Sequence, residues 1–312
     1  MQSDIHNARR VRERFNLWET DAFRVFDGDG DGYPGLTIDA YAGRWLVSTT
    51  GIADEEDLPR GLQAAIQSTE GVHSYWWKRL DQHDKEPPIL IWARAGKSSK
   101  PTGLISEHGI SYEIDLLAGY SQGIFLDQRL NRLKVREASS RGMKVLNLFS
   151  YTCAFSVTAA IGGATTTSLD LSQPYLDWGK KNMEANGLSP DDHYWCKGDA
   201  FEWLARFKKS GRTFDAIIID PPTFSRSGKG KNRRTFQAET DYPELVAAAA
   251  AVLEDGGWML ATTNCRRLNT RGFRRLVERG LADSPHAGRD LMMEPMPPEY
   301  TGEFYLKSCW LD

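Results

Sequence analysis

Cysteine is scarce in this sequence of 312 residues, and its four copies lie far apart. They form no Cys-x-x-Cys pair and no paired Cys/His set of the zinc-finger type. Because a structural zinc site needs four ligands in such paired spacings, the sequence predicts no metal centre and four reduced thiols. The four residues are Cys153, Cys196, Cys265 and Cys309.

Long apolar runs and an excess of positive charge are also missing. The sequence contains no run of eighteen apolar residues, and residues 1–14 are polar and charged where a secretory signal would be apolar. We therefore expect a cytoplasmic protein without a membrane partner. The sequence contains 39 Lys and Arg and 42 Asp and Glu residues, which gives it a formal net charge of -3. This balance argues against a protein that coats nucleic acid without specificity, but it allows a local basic patch.

After Gly119, short apolar strands alternate with amphipathic helices, which is typical of a parallel sheet covered by helices on both faces. We predict a C-terminal, seven-stranded, doubly wound (Rossmann-like) α/β domain over residues 119–312. The predicted strands are Lys144–Leu148, Thr165–Asp170, His193–Lys197, Ala216–Asp220, Trp258–Thr263, Arg289–Met293 and Phe304–Leu311.

The N-terminal part has a different pattern. Residues 1–20 are predicted to hold a short basic helix, and residues 21–118 a small α+β domain with one helix near residues 57–67. Its predicted strands are Phe23–Phe26, Leu36–Tyr41, Trp45–Thr50, His73–Lys78, Ile89–Arg94 and Ile110–Leu117.

The stretch Asp27-Gly-Asp-Gly-Asp31 begins like a calcium-binding loop. An EF-hand loop that starts at Asp27 needs a bidentate Glu at its twelfth position, where this chain has Ile38. Strand-like segments flank the stretch where an EF-hand has helices. We therefore predict a Gly/Asp-rich turn between two strands, without calcium.

Polar residues follow four of the predicted parallel strands, where ligands bind in an open α/β sheet. They are Asn147 with the loop after it, Asp170, Asp199 and Asp220. The Gly-x-Gly-x-x-Gly motif that holds a pyrophosphate is absent after the first strand. We therefore expect a nucleoside cofactor without a pyrophosphate, and S-adenosylmethionine is the main candidate.

Asp220-Pro-Pro is the most specific of these signals. Two prolines fix a rigid turn and donate no backbone hydrogen bonds, so the Asp220 carboxylate and nearby carbonyls are offered as acceptors to an amino-bearing ring.

Several motifs together resemble one family, the bacterial large-subunit ribosomal RNA methyltransferases I and K. They are Phe125-Leu-Asp-Gln-Arg-Leu-Asn-Arg132, Val145-Leu-Asn-Leu-Phe-Ser-Tyr-Thr152, Leu169-Asp-Leu-Ser172, Asn182-x-x-x-Asn-Gly-Leu188, Asp220-Pro-Pro-Thr-Phe224, Phe304-Tyr-Leu-Lys307 and Gly30-Asp-Gly-Tyr-Pro-Gly-Leu-Thr-Ile-Asp39.

This resemblance covers nearly the whole chain and implies an S-adenosylmethionine-dependent enzyme. Its partner would be ribosomal RNA or a ribosomal subunit precursor, residues 21–118 would present the RNA, and the enzyme would be a monomer or a homodimer. The implied cofactor-binding residues are Gln128, Arg129, Asn147, Ser150, Tyr151, Thr152, Asp170, Leu171, Asp199, Ala200 and Asp220.

Two features depart from the family pattern. Members usually carry Gly-Gly after Tyr-Thr, close to the methionine end of the cofactor, whereas this chain has Cys153-Ala154, so a Cβ must fit there. The cytosine-modifying members also begin with an RNA-binding PUA domain, and this chain starts about where that domain would end.

Residues 226–234 form a basic stretch directly after Asp-Pro-Pro, with five positive residues and no acid. Such a stretch is either a solvated loop or a phosphate-binding one, and we expect RNA contact here, with Arg266, Arg267, Arg271 and Arg274 as possible extensions. The predicted substrate-binding residues are Pro221, Pro222, Phe224, Arg226, Lys229, Lys231, Arg233 and Arg234.

Cys265 is the candidate nucleophile, with Asp220 as the second predicted catalytic residue. Methylation of cytosine C5 requires a thiolate that first adds to C6. Cys265 matches the family's Ser-Cys-Ser motif, and the flanking arginines would favour a thiolate. However, Asn264-Cys-Arg-Arg267 also resembles the Asn-Asn-Lys-Arg of the guanine-N7 members, which need no nucleophile. We favour cytosine C5 slightly over a guanine nitrogen, N7 or N2. A methyltransferase of a small molecule or protein, and a non-catalytic RNA-binding or assembly protein, are the alternatives.

Overall fold

The computed structural model describes residues 1–15, 17–81, 86–119, 121–227 and 234–312. They divide into two compact units. Unit 1 contains Met1–Arg129 and Pro297–Phe304, and unit 2 contains Leu130–Met296 and Tyr305–Asp312. Residues 119–129 and 297–304 thus belong to unit 1 by their contacts, although the sequence analysis placed them in the C-terminal domain. The functional domain limits stay a prediction.

Unit 1 is built on a five-stranded sheet in the order β1-β2-β3-β4-β5, in which β3 and β4 alone are parallel and the crossover between them contains a helix. Ile5 and Ala8 of the N-terminal helix pack into the core formed with this sheet. The helices are Gln2–Arg12 (α1) and Leu62–Ser68 (α2), and the strands are Ala22–Asp27 (β1), Leu36–Tyr41 (β2), Arg44–Thr49 (β3), Ser74–Arg79 (β4), Ile89–Ala93 (β5), and the paired Thr102–Glu107 (β6) and Ile110–Asp115 (β7).

Unit 2 contains the predicted seven-stranded sheet. Its strands are Lys144–Leu148 (β8), Thr165–Asp170 (β9), Tyr194–Lys197 (β10), Phe214–Ile219 (β11), Leu253–Thr263 (β14), Leu291–Glu294 (β15) and Lys307–Leu311 (β16). A hairpin, Phe224–Ser227 (β12) and Arg234–Gln237 (β13), follows β11. The helices are Arg129–Ala138 (α3), whose first residue belongs to unit 1, Ala154–Ile161 (α4), Gln173–Glu184 (α5), Ala200–Ser210 (α6), Ala238–Ala250 (α7) and Thr270–Leu281 (α8).

The order of the large sheet is β10-β9-β8-β11-β14-β16-β15. Its first five strands are parallel, and β16 runs antiparallel to both of its neighbours. β8 lies between β9 and β11, where the strand order reverses, and ligands of doubly wound sheets bind outside the carboxyl ends of strands at such a point. The predicted fold class is confirmed: a small α+β region precedes a seven-stranded, mostly parallel α/β sheet.

The buried strands explain why this sheet forms. The side chains of Val145, Leu146, Ile217 and Ile218 are all completely buried. Continuous burial of both faces is what a parallel sheet between two helical layers requires. Within the described ranges, no helix is long and apolar enough to span a bilayer.

The Gly/Asp-rich stretch of unit 1 forms a 3-10 helix, Gly28–Asp31, between β1 and β2. Its carboxylates bind arginines and backbone amides: Asp31 accepts two hydrogen bonds from Arg12 at 2.9 and 2.6 Å, and Asp27 accepts one from the Gly302 backbone N–H at 2.8 Å. Among the described residues, no group of three or more His, Cys, Asp or Glu is placed to hold a metal ion.

Candidate active site

The loop after β8 has an unusual backbone. Phe149, Tyr151 and Cys153 have φ values of 56°, 49° and 61°. Left-handed backbone costs a residue with a side chain on the order of 1 kcal/mol or more, and such residues persist where the surrounding structure holds them. Three alternate residues in this conformation give the loop a fixed shape at the carboxyl end of β8.

Asp170, at the end of β9, holds this loop. Its Oδ2 accepts a hydrogen bond from the Tyr151 backbone N–H at 2.9 Å, and its Oδ1 accepts one from the Ser172 N–H at 2.8 Å. Burial raises the pKa of this carboxyl above its ordinary 3.8, against the lowering effect of the backbone N–H groups. Each carboxylate oxygen has capacity for a further hydrogen bond.

The side chain of Cys153 points into the protein interior. It is completely buried, and a Cβ built on Gly179 of α5 would lie only 2.5 Å from its Sγ. Burial raises the pKa of this thiol to about 12. The side chain that replaces the usual glycine therefore occupies space left by a glycine in the neighbouring helix, and the first departure from the family pattern is accommodated.

Two further residues predicted to bind the cofactor, Asn147 and Thr152, are buried and make hydrogen bonds within the protein. Asn147 is buried and donates from Nδ2 to Ser156 Oγ at 2.9 Å. Thr152 is also buried, and its carbonyl accepts from Asn182 Nδ2 at 2.9 Å. The Asn147 side chain thus joins β8 to α4, and the Thr152 carbonyl joins the loop after β8 to α5.

Asp199, Ala200 and Leu171 lie at the ends of β10 and β9. Asp199 caps α6, because its Oδ1 accepts from the backbone N–H groups of Phe201 and Glu202 at 2.9 and 3.2 Å. Ala200 is buried in the first turn of that helix. Leu171 is 41% exposed, which is unusual for a leucine directly after a parallel strand, and it offers an apolar surface to a ligand.

The Asp220-Pro-Pro turn after β11 is joined to the end of β14. Asp220 Oδ1 accepts a hydrogen bond from the Thr262 hydroxyl, and the buried Tyr242 hydroxyl lies 2.7 Å from the Thr262 carbonyl and 3.2 Å from that of Ile219. Burial, and secondly the Asp220 charge, raise the pKa of Tyr242 well above its ordinary 10.0, so it stays a donor. Pro221 is buried and Pro222 is exposed.

A second link joins the same two loops further out. The Thr223 hydroxyl donates to Oδ1 of Asn264 at 2.8 Å, and both side chains are exposed. The next residue, Cys265, is only 2% exposed and packs in the core cluster of unit 2. Lys307 of β16 donates to the Cys265 carbonyl at 2.9 Å. The predicted nucleophile thus faces the core, and Asn264 is the exposed neighbour.

The hairpin after Asp-Pro-Pro was not predicted from the sequence. Ser225 is opposite Phe236, which is buried, so the adjacent positions on β12 face solvent. Phe224 is 48% exposed, and the Arg226 guanidinium lies over its ring at 5.1 Å. Lys229, Lys231 and Arg233 are outside the described residues, and Arg234 begins β13.

Gln128 and Arg129 belong to unit 1 and are both buried. Arg129 donates two hydrogen bonds to the Glu299 carboxylate, from Nε at 3.0 Å and from a terminal nitrogen at 2.8 Å. Its other terminal nitrogen lies 3.2 Å from His108 Nε2. These contacts give Arg129 an architectural role within unit 1, and its predicted role in cofactor binding stays a prediction.

Sequence reasoning missed the contributions of Thr262, Tyr242 and Asn264 to the site. Thr262 lies in the last part of β14 and Asn264 is the first residue after it, so the carboxyl end of a parallel strand was the available signal. Tyr242 had no such signal, since it is one aromatic residue in a helix 22 positions after Asp220.

Residues 24–300 match the family described as S-adenosylmethionine-dependent methyltransferase. The chain belongs to this family. As a member it is an enzyme that uses S-adenosylmethionine, as the sequence analysis predicted.

Individual relatives agree with this assignment. The methyltransferase is 35% identical to a Bacillus subtilis protein named as a candidate ribosomal RNA large subunit methyltransferase, YwbD, over 88% of this chain and 69% of that protein. It is 29% identical to ribosomal RNA large subunit methyltransferase K of Neisseria meningitidis, over 93% and 80%. A crystal structure of SMU.776, a candidate methyltransferase complexed with SAH, superposes with a TM-score of 0.85 at 29% identity, over 100% of this chain and 80% of that one. The predicted resemblance to methyltransferases I and K is confirmed.

The chemistry of the donor set in this methyltransferase fits the cofactor. A carboxylate at the end of the second parallel strand suits the two hydroxyls of a ribose. Asp170 is in that position, with a backbone loop of fixed shape beside it. The cofactor supplies a methyl group on a sulfonium.

Proposed function

We propose that this methyltransferase modifies a base of large-subunit ribosomal RNA. The observation that carries the proposal is the rigid Asp220-Pro-Pro turn followed by a hairpin that exposes Phe224 and Arg226. An exposed aromatic ring stacks on unpaired bases, and a guanidinium binds phosphate, so the pair suits a single-stranded nucleotide. The names of the relatives support the same substrate. The proposal includes a cytoplasmic location.

The cofactor would be held by the loop after β8 and by the ends of β9 and β10. Asp170 would accept the ribose hydroxyls, Leu171 would cover the nucleoside with its exposed side chain, and the loop from Ser150 to Thr152 would enclose the methionine part. Asp199 and Ala200, at the start of α6, would border the adenine.

The target base would lie at the two joined loops, Asp220–Phe224 and Thr262–Cys265. Asp220 and the carbonyls of this turn would accept hydrogen bonds from amino or imino groups of the base. Positioning of a nucleophilic nitrogen against the sulfonium methyl would then supply most of the rate enhancement. Attack by N7 displaces no proton from the base, whereas attack by N2 would pass one proton to the Asp220 carboxylate.

A guanine nitrogen is the target that we favour over cytosine C5. Cytosine C5 needs a thiolate that reaches C6 of the base. Cys265 is 2% exposed and packs in the core, whereas Asn264 is exposed beside the Asp-Pro-Pro turn. The burial of Cys265 supports direct attack by a ring or exocyclic nitrogen, which requires no covalent intermediate. Cytosine C5 is the second candidate, because Cys265 directly follows Asn264 in the same loop.

Mass mapping of ribosomal RNA from a deletion strain tests the substrate. One modified guanine that disappears in the deletion strain, and returns when the purified enzyme and S-adenosylmethionine are added, is the expected result. Unchanged ribosomal RNA would contradict the proposal and favour a small-molecule or protein substrate.

The Cys265→Ala variant separates the two target atoms. If a guanine nitrogen is methylated, the variant keeps most of the wild-type turnover, and its small core cavity lowers stability by about 1 kcal/mol. Loss of turnover in a folded variant, together with a covalent adduct between the wild type and RNA carrying 5-fluorocytosine, would establish the cytosine route instead.

A further inference from the structure

Hydrogen bonds fix both the side chain of the exposed residue Asn264 and the backbone of the residue after it. Its Oδ1 accepts a hydrogen bond from the Thr223 hydroxyl at 2.8 Å. The backbone of the next residue is fixed on both sides, because the Cys265 N–H donates to Thr263 Oγ1 at 3.2 Å and its carbonyl accepts from Lys307 at 2.9 Å. Lys307 is itself 6% exposed. A buried ammonium group is costly unless it is well paired.

These contacts orient the amide of Asn264. Since Thr223 donates to Oδ1, the amino group Nδ2 is the part of the amide that an incoming ligand meets as a donor. The Asp220 side chain, which is an acceptor, lies on the loop that contains Thr223, and the Thr262 hydroxyl holds it there. The two linked loops thus offer one donor and one acceptor, both held by hydrogen bonds within unit 2.

We propose that Asn264 is the specificity-determining residue for the target base, and that its Nδ2 donates a hydrogen bond to the O6 carbonyl of guanine. This inference rests on the proposed function. Guanine carries an acceptor at O6 and donors at N1 and N2, so a fixed amide donor and the Asp220 carboxylate together match its edge. Adenine, which carries an amino group at C6, would place a donor against Nδ2. Thr223 is the positioning residue for the amide.

The test is a kinetic comparison on two synthetic RNA fragments. Both span the guanosine found by mass mapping, and one carries 2-aminopurine in its place, which lacks both O6 and the N1 proton but keeps the amino group at C2. The variants are Asn264→Asp, which keeps an oxygen for Thr223 but replaces the donor by an acceptor, and Asn264→Ala, which adds no charge.

On the guanine RNA we expect kcat/KM to fall on the order of tenfold to a hundredfold in both variants. The wild type should lose at least this factor on the 2-aminopurine RNA, because Asp220 also loses the N1–H donor there, and on that RNA the two variants should be little slower than the wild type. S-adenosylmethionine affinity, measured by calorimetry, should stay at the wild-type value in both.

Thr223 provides a second, independent arm. Thr223→Val removes the hydroxyl but keeps the shape, so the amide loses its fixed orientation and kcat/KM on guanine RNA should fall severalfold. Thr223→Ser restores the hydroxyl and should restore the rate, which a purely structural role of the methyl group would not do.

Two outcomes would overturn the inference while the proposed function stands: Asn264→Asp and Asn264→Ala with wild-type rates on the guanine RNA, or equal losses of these variants on both RNAs. If mass mapping instead places the methyl group on cytosine, the guanine assignment and this inference fail together. If the wild type methylates no ribosomal RNA at all, the proposed function itself has failed.

Discussion

The two polar regions at the carboxyl edge of the large sheet differ in which groups they offer to a ligand: one offers mainly backbone groups and the other mainly side chains. The loop after β8 is shaped by its backbone, with three left-handed residues and with Thr152 and Cys153 completely buried. The segments after β11 and β14 present exposed side chains, among them Phe224 and Asn264. The Tyr242 hydroxyl joins the ends of these two strands through their backbone carbonyls. In our proposal the first region holds the cofactor and the second holds the base.

This difference suits the two ligands. A cofactor of fixed structure can be held by backbone groups of fixed geometry, whereas an RNA base is recognised through side-chain donors, acceptors and aromatic surfaces. It follows that substitutions in the first region should change cofactor affinity and stability together. Substitutions at exposed positions of the second should change RNA turnover and leave stability intact.

The Asp170→Asn variant should weaken S-adenosylmethionine binding by about 2 to 3 kcal/mol, because a charged acceptor of the ribose is lost. In the wild type, Asp170 accepts hydrogen bonds from two backbone N–H groups. The amide of the variant would place its own NH₂ donor against one of them, so stability should fall as well. Calorimetry and thermal unfolding measure the two effects. Wild-type affinity in a folded variant would move the ribose site away from this carboxylate.

The same carboxyl gives the methyltransferase a pH dependence with a definite sign. Burial raises the pKa of Asp170 above 3.8 in the folded chain. The free energy of unfolding of the cofactor-free chain should therefore decrease as pH rises from 3.8 through that raised pKa. The ribose hydroxyls bind the ionised form. Cofactor affinity should therefore fall as pH is lowered through the raised pKa, and Asp170→Asn should remove this dependence. A wild-type affinity that stays constant under acidic conditions would contradict the assignment.

The Gly179→Ala variant should destabilise the chain by about 1 to 3 kcal/mol, because overpacking forces a buried contact apart. The new Cβ would meet Cys153 Sγ at 2.5 Å and its Cβ at 2.7 Å. A glycine-to-alanine change inside an ordinary helix has the opposite sign. Urea unfolding measures the effect.

The matched control for this prediction is the double variant Gly179→Ala with Cys153→Gly. Removing the Cys153 side chain takes away the clash and the left-handed strain together, so the double variant should recover most of the lost stability. Equal costs in the single and the double variant would show that these two residues do not share one space.

The Arg226→Ala variant should have the smallest effect, a weaker binding of RNA with a salt slope lower by about one. Cofactor affinity and stability should not change, since Arg226 is exposed. Arg206→Ala is the control, because Arg206 is also exposed and lies over an aromatic ring, Trp203, at 5.0 Å. Equal salt slopes in the two variants would assign Arg226 to the solvated surface.

The sequence predicted the elements that local patterns determine. The strands Leu36–Tyr41, Lys144–Leu148 and Thr165–Asp170 have the predicted limits. Apolar residues define the first two, and β-branched threonines favour the third as a strand. The strand pair β12 and β13 after Asp220-Pro-Pro was missed because polar residues dominate both strands, and their pairing places Phe236 in the core cluster of unit 2.

Contacts between distant residues account for most of what could not be predicted in the site. Gly179 makes room for Cys153, and Thr262 binds Asp220 across 42 positions. Such pairs leave no periodic signal in a single sequence, since each partner fits its own element equally well without the other. The burial of Cys265 was uncertain for a related reason. A cysteine at a strand end suits a reactive site and a core position alike, and only the packing of the core cluster of unit 2 decides between them.

The membership of residues 297–304 in unit 1 has a consequence for synthesis of the chain. This segment lies between two strands of the large sheet in sequence, yet its Glu299 carboxylate binds Arg129 and its Gly302 N–H binds Asp27. Domains near the N-terminus generally fold first while a chain is being translated. Here the N-terminal unit is completed only when residues 297–304, which follow most of unit 2 in the sequence, have left the ribosome. Until then a nascent chain carries the buried Arg129 without its carboxylate, and premature termination before residue 299 would leave both units incomplete.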